Sequence, residues 1–206
     1  MQATDAIFYI AILVVSVVIH EISHGFMAEY FGDKTARYAG RLTLNPIRHL
    51  DLFGSIILPV FLIISKAGFL FGWAKPVPYN PDNLSNKKWG SIAVAGAGIS
   101  ANLFVAIIFG IVLRLSSSLA LPIGFYFIIS LIVVVNLALA IFNLVPIPPL
   151  DGSKIIFPLL PRYFEPIITF SEQYPFIFLI LFIVFFADFL HPILAFLYTL
   201  ITGLVF

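Results

Sequence analysis

Residues 6–24 read AIFYIAILVVSVVIHEISH, an apolar run that ends in two histidines and a glutamate. The first 14 residues of this run carry no charge. Ionisable side chains inside a membrane are costly to desolvate, so where they occur they usually serve a function. The run therefore predicts a transmembrane helix, from about Asp5 to Tyr30, with a functional site roughly two thirds of the way across the membrane.

The spacing of the polar residues indicates a metal site. In a helix, His20 and His24 lie one turn apart on one face, where their imidazoles can bind the same metal ion. Glu21 borders this face and can accept a proton from a water molecule that the metal activates. The pattern H-E-x-x-H is typical of metallohydrolases. The alternative, two histidines that only pack in a helical bundle, is disfavoured because Glu21 adds a further costly buried group.

The composition indicates a membrane protein. Of 206 residues, 61% are hydrophobic and only 10% are charged, against about 25% charged in a typical soluble domain. We expect one integral membrane domain over residues 1–206. The net charge of +1 gives no indication of nucleic-acid binding. Because the chain has no cysteine, disulfides and thiolate ligands are excluded, so imidazole and carboxylate groups must bind any metal.

Further apolar stretches predict an all-α polytopic membrane protein, a bundle of about five to six transmembrane or re-entrant helices. Residues 91–113 and 121–145 are long enough to span the membrane. Residues 52–65 contain a proline and are short for a span, which favours a re-entrant segment. From about residue 172 to residue 206, polar residues interrupt an apolar run, which favours a C-terminal helical hairpin.

The polar region after the first predicted helix is expected to contain β-structure. Residues 35–44 are predicted to form short strands that turn at Gly40, giving a small β-hairpin. Residues 75–80 (KPVPYN) are stiffened by prolines into an extended path. Both segments belong to a loop region on one membrane face.

The basic residues predict which face this is. If residues 52–65 enter and leave the membrane on the same side, ten of the eleven Lys and Arg residues share that side, and only Arg114 does not. The positive-inside rule makes that side cytoplasmic. The ten residues are Lys34, Arg37, Arg41, Arg48, Lys66, Lys75, Lys87, Lys88, Lys154 and Arg162.

Residues 143–152 (NLVPIPPLDG) offer a third metal ligand. A hydrolytic zinc site usually has three protein ligands and one position open to water. The prolines break the preceding helix at the membrane edge, so Asp151 emerges on the face near which the two histidines lie. Elimination of the other acidic residues favours a Zn²⁺ site made by His20, His24 and Asp151. The alternative is that Asp151 only caps a following helix, since Asp is a favoured N-cap residue.

These motifs resemble those of the site-2 protease family of intramembrane zinc metalloproteases, in particular its compact prokaryotic members without PDZ or CBS domains. The resemblance is carried by residues 20–24 (HEISH), 143–152 (NLVPIPPLDG), 40–46 (GRLTLNP), 49–51 (HLD) and 71–78 (FGWAKPVP). The chain departs from the family's Gly-Pro-x-x-Asn element, because Ile99 replaces the proline. We expect Asn102 in this element, and Asn136, to be interhelical hydrogen-bond partners.

The resemblance implies a site and a reaction. It implies that His20, His24 and Asp151 hold zinc and that Glu21 is the general base. It also implies that Asn143 hydrogen-bonds the substrate carbonyl or the oxyanion. For Asn143 the alternative is a structural role near the broken backbone.

The resemblance also implies a substrate, a transmembrane segment of another protein that unwinds and is cleaved in or near the bilayer. Strands within residues 35–44 and 75–80 would bind the unwound segment. The expected location is a prokaryotic cell membrane, with the active site toward the cytoplasm and a catalytic core over about residues 5–155. The alternative class is a non-catalytic metal-binding scaffold or transport component, although a transporter should show paired broken helices in two related halves.

Overall fold

A computed structural model of the chain describes residues 3–51, 74–116 and 122–206, together with the single positions 54, 57, 61 and 64. Eight α-helices have their bounds in these ranges: α1 (Ala3–Tyr30), α2 (Thr35–Tyr38), α3 (Lys87–Arg114), α4 (Ile123–Leu144), α5 (Asp151–Ile156), α6 (Glu165–Gln173), α7 (Pro175–Phe186) and α8 (Leu190–Thr202). Short 3-10 helices occur at Pro46–His49, Pro81–Asn83, Phe157–Leu159, Arg162–Phe164 and Ala187–Phe189.

Three of these helices are long and apolar enough to cross a membrane. They include Ile7–Tyr30 in α1, all of α3, and Gly124–Leu144 in α4. Each has at least the roughly 20 residues that a hydrocarbon core about 30 Å thick requires. Within the described residues a fourth crossing is available if Arg162–Gln173 and α7, which are bent by 89° relative to each other, form one broken span. The predicted all-α, polytopic membrane fold is confirmed.

Helix α3 occupies the centre of the bundle, with α1 and α4 on either side. Many of its buried positions are glycine or alanine, including Gly90, Ala95, Ala97, Gly98 and Ala106. Small residues let transmembrane helices approach closely, which gives the van der Waals contact that holds them together in lipid. Helix α8 packs on the C-terminal half of α3 and the N-terminal half of α4. There Tyr198 joins a core cluster with Leu113 and Val133.

A hydrogen bond between the end of α1 and the start of α3 shows which helix ends lie together. The backbone N–H of Ser85 donates to the carbonyl of Phe31, with 2.8 Å between N and O. Helix α1 therefore ends, and α3 begins, at the same end of the bundle. The region between them contains residues 52–65, predicted to be re-entrant, which lie outside the described residues except for the four single positions.

The predicted β-hairpin within residues 35–44 is wrong. Residues 3–51, 74–116 and 122–206 contain no β-strand, and Thr35–Tyr38 forms the single helical turn α2. The cause is local, because Asp33 accepts hydrogen bonds from both the backbone N–H and the hydroxyl of Thr35. This closes an Asx-type turn that starts a helix instead of a strand. Residues 74–80 have no regular secondary structure and do not pair as a strand, and Asn80 has extended backbone angles.

Candidate metal centre

The two histidines of α1 meet the first residue of α5. One carboxylate oxygen of Asp151, Oδ2, lies 3.0 Å from Nε2 of His20 and 3.0 Å from Nε2 of His24. All three residues are buried. The imidazole rings stand perpendicular to each other, with 4.6 Å between their centroids. Three atoms of types that can ligate a metal therefore converge on one point between α1 and α5.

Hydrogen bonds fix the orientation of both imidazoles. Nδ1 of His24 donates to the backbone carbonyl of Val94, and Nδ1 of His20 donates to Oδ1 of Asn102, each over 2.6 Å. A backbone carbonyl only accepts, so Nδ1 of His24 must carry the proton. In a neutral imidazole the other nitrogen, Nε2, then has a free lone pair. Each histidine thus directs its Nε2 atom toward the Asp151 carboxylate.

This donor set fits a zinc ion. Each Nε2 atom lies 3.0 Å from Oδ2 of Asp151, a spacing that a shared proton or a metal ion between the atoms would stabilise. Zinc takes nitrogen and oxygen ligands at about 2.0–2.2 Å in a tetrahedron, which separates neighbouring ligand atoms by about 3.4 Å. The observed separations lie within a few tenths of an ångström of that value. The donor atoms of His20, Glu21 and His24 also lie within 4.8 Å of one another.

Two glycines allow the three helices to come this close. A Cβ atom built on Gly98 would lie 2.6 Å from Cε1 of both His20 and His24. A Cβ on Gly152 would lie 2.2 Å from the carbonyl oxygen of Leu144. Any side chain at Gly98 would therefore displace the imidazoles, and any at Gly152 would displace α5 from the end of α4.

The carboxylate of Glu21 is held by the loop segment 74–80. Oε2 of Glu21 accepts a hydrogen bond from the backbone N–H of Val77 over 2.8 Å. The same segment is fixed from its other side by Arg41, whose Nη2 donates to the carbonyls of Lys75 (2.7 Å) and Pro76 (3.2 Å). The glutamate and the segment that borders it are thus positioned together.

A cavity of about 380 Å³ opens onto the three ligating side chains. Glu21, Asn143, Lys154 and residues 76–79 also line it. One N–H of the Asn143 amide donates to the carbonyl of Leu139 in its own helix, over 2.9 Å. A wider and shallower groove of about 550 Å³ runs along α6, far from these residues in the chain, and no histidine lines it.

The structure brings together all five predicted site residues, His20, Glu21, His24, Asn143 and Asp151. The N-cap interpretation of Asp151 does not hold, because α5 begins at Asp151 itself and Leu150 precedes it as the N-cap.

Several neighbours of the site were not predicted as such. Asn102 was expected only to bridge helices, yet it also contacts His20. Its position as an amide inside an apolar span was the available signal. The contacts of Val94 and Val77 use backbone atoms, and no side-chain pattern reveals them.

The sequence profile of peptidase family M50 matches residues 8–119 and 115–187. YwhC of Bacillus subtilis (strain 168), provisionally named a zinc metalloprotease, is 40% identical over 178 residues, which cover 83% of this chain and 78% of YwhC. Rip2 of Mycolicibacterium smegmatis, also provisionally named a zinc metalloprotease, is 30% identical over 180 residues, covering 86% of this chain and 67% of Rip2. No solved structure matches the chain significantly. With both motifs meeting at one buried site, the chain belongs to peptidase family M50, the site-2 protease family.

Proposed function

We propose that this metalloprotease is an intramembrane zinc enzyme, which hydrolyses peptide bonds in or near transmembrane segments of other membrane proteins. One observation carries the proposal. Nε2 of His20, Nε2 of His24 and Oδ2 of Asp151 converge inside a bundle of membrane-spanning helices. The names of the relatives in Bacillus and Mycolicibacterium agree with zinc as the metal.

The three converging side chains would hold Zn²⁺ and leave a fourth position open on the side of the cavity. A bound zinc ion supplies Lewis acidity, which lowers the pKa of a water molecule and polarises a carbonyl group. Glu21 would take the proton of the attacking water and deliver it to the leaving amine. The N–H of Val77 holds Oε2 of Glu21 in place for both transfers.

Asn143 is suited to stabilise the charge that develops on the substrate carbonyl. It lines the cavity together with Glu21 and Asp151. An asparagine amide has two N–H donors, and the structure uses one of them on Leu139. The second would donate to the oxyanion, the kind of contact that strengthens in the transition state.

The substrate would enter as an unwound, extended segment, because a helix hides its carbonyls in its own hydrogen bonds. Residues 76–79 border the cavity and offer backbone groups for such a segment to pair with. The catalytic core would then comprise about residues 5–155. The two helices α7 and α8 lie outside this core, in the predicted C-terminal hairpin.

The proposed location is a prokaryotic cell membrane, with the site open to the cytoplasm. Ten of the eleven Lys and Arg residues belong to the end of the bundle where α1 ends and α3 begins, if residues 52–65 return to that end. His24 lies six residues, or about 9 Å, before the end of α1. Water would therefore reach the site from that face.

The test compares the zinc content of the detergent-purified protein with its cleavage of a transmembrane substrate. We expect about one zinc per wild-type chain. Glu21→Gln should keep the zinc but lower the cleavage rate by about 10²–10⁴-fold, because only proton transfer is removed. Asp151→Ala should lose both zinc and activity.

Each part of the proposed function would be contradicted by a different result of this test. Zinc bound at wild-type affinity in Asp151→Ala would refute the third ligand. Full activity in Glu21→Gln would refute the general base. A folded wild type that binds zinc and cleaves no membrane substrate would favour a metal-binding scaffold instead.

A further inference from the structure

The strongest unassigned feature is a chain of buried amides and a hydroxyl behind His20. We propose that Asn102, clamped by Asn136 and Ser16, is a positioning residue that fixes the tautomer and the ring orientation of His20. This inference rests on the proposed zinc site and adds to it the residues that prepare one of its ligands.

The group of Asn102 that contacts His20 must be its amide oxygen, which can only accept a hydrogen bond. Oδ1 of Asn102 lies 2.6 Å from Nδ1 of His20. Nδ2 of the same amide donates to Oδ1 of Asn136 over 2.8 Å and to the backbone carbonyl of Ser16 over 3.3 Å. Because the carbonyl of Ser16 can only accept, the amide nitrogen must face it. The amide oxygen must then face His20.

Asn136 is itself fixed from two directions. Its Nδ2 donates to the hydroxyl of Ser16 and to the carbonyl of Ile132, each over 2.9 Å. Both asparagines are fully buried. Each available amide group of this cluster is therefore engaged in a low-dielectric interior, where rotating one amide would break several hydrogen bonds at once. The cluster joins three helices, α1, α3 and α4, behind one metal ligand.

The orientation of each histidine is thus fixed by a different kind of acceptor. Nδ1 of His24 meets a backbone carbonyl, which no side-chain substitution removes. Nδ1 of His20 meets a side chain, so its orientation depends on the identity of residue 102. Partners of this kind hold a metal-ligating histidine in the correct tautomer and raise its basicity, and their loss typically costs about 10–100-fold in metal affinity.

The experiment measures zinc dissociation constants by chelator competition in the detergent-purified, full-length protein. Asn102→Leu removes the acceptor at similar size, and Asn102→Asp keeps an oxygen facing Nδ1. Ser130→Ala is the matched control, because it removes a different hydrogen bond between helices, the one of 2.7 Å between the hydroxyls of Ser130 and Tyr198. A second readout is the exchange of the His20 Nδ1 proton, followed by NMR in ¹⁵N-histidine protein, with His24 as internal reference.

We expect Asn102→Leu to raise the zinc dissociation constant by about 10–100-fold. The His20 proton should become exchangeable, while the His24 proton stays protected. Asn102→Asp should recover only part of the affinity, because it restores an acceptor for Nδ1 of His20 but replaces the donating Nδ2 with an oxygen that faces two other acceptors. Ser130→Ala should bind zinc as the wild type does. If Asn102→Leu does not fold, Asn136→Ala tests the same cluster, because it frees the Asn102 amide and should also weaken zinc binding relative to Ser130→Ala.

Equal zinc affinity in the Asn102 variants and in Ser130→Ala would overturn the positioning role, even if their melting temperatures differ. A wild type that binds no zinc would instead overturn the proposed function. The two failures are therefore distinguishable.

Discussion

At the scale of single residues, Gly98 sets how closely α3 approaches the two histidines. An added Cβ would lie 2.6 Å from atoms of both imidazoles, far inside van der Waals contact. We expect Gly98→Ala to push the rings apart and to weaken zinc binding by at least tenfold, as for other changes that misplace a ligand. Zinc titration of the purified variant measures this directly.

Gly96 provides the matched control on the same helix. A Cβ built on Gly96 meets nothing within 4 Å, and alanine is a better helix former than glycine. Gly96→Ala should therefore leave zinc binding unchanged. Similar zinc affinity in Gly98→Ala and Gly96→Ala would show that the approach of α3 does not control the site.

The residues that could be predicted are those whose spacing alone determines a shared face. His20 and His24 are four residues apart in one helix, so their convergence follows from helix geometry. Asp151 could be predicted because prolines end α4 just before it. The contact of Asn102 with His20 could not, because it depends on the register between α1 and α3, which small residues of α3 set by packing.

At the scale of elements, Asp33 joins the end of α1 to the loop that leads into α3. Its carboxylate accepts hydrogen bonds from the backbone and hydroxyl of Thr35, from the backbone of Asn80 and from the amide of Asn83. Its burial alone would raise the pKa of Asp33, but these hydrogen bonds outweigh burial and hold the pKa below its ordinary value. The ionised form is therefore favoured by folding.

This gives a pH-dependent prediction. A carboxyl whose pKa is lowered by folding stabilises the protein above its unfolded pKa of about 3.9, and that stability is lost as the pH falls through the folded value. Asp33→Asn should lower the free energy of unfolding at pH 7 by about 1–3 kcal/mol, because its amide would place a donor against another donor. The difference from wild type should shrink below about pH 4, as measured by thermal unfolding.

Asp82 is the control for that experiment, since it lies in the same loop. Its carboxylate is exposed and pairs only at the surface with Lys87, over 2.6 Å between Oδ1 and Nζ. Exposed ion pairs contribute little, so Asp82→Asn should change stability much less than Asp33→Asn does. Equal losses in the two variants would contradict the special role of Asp33.

Asp33 also explains why the β-hairpin prediction failed while the long helices were predicted correctly. The spans are 21 to 28 residues long and mostly apolar, so no single contact can overturn them. The segment after Asp33 is short and polar, and its conformation is decided by one side chain that closes a turn onto Thr35. Ala36 is then buried against α1, which a strand pattern would not predict.

At the scale of the whole molecule, the orientation in the membrane follows from where the helices begin and end. Lys88 and Leu115 lie at opposite ends of α3, about 40 Å apart, and both are exposed. Lys88 shares an end of the bundle with the C-terminus of α1, and the proposed orientation, which follows the positive-inside rule, would put that end in the cytoplasm. Arg114, the exception to that rule, donates to the carbonyl of Leu200 near the end of α8.

The chain has no cysteine, so single cysteines report topology against an unreactive background. We expect Leu115→Cys to react with a membrane-impermeant maleimide on intact cells, because that end of α3 would face outward in the proposed orientation. Lys88→Cys should react only after the cells are permeabilised. Since the Asp151 carboxylate and the cavity lie toward the Lys88 end of the bundle, this pattern would also place the site's opening in the cytoplasm. Labelling of Lys88→Cys on intact cells, with Leu115→Cys protected, would invert the orientation and place substrate entry on the outer face.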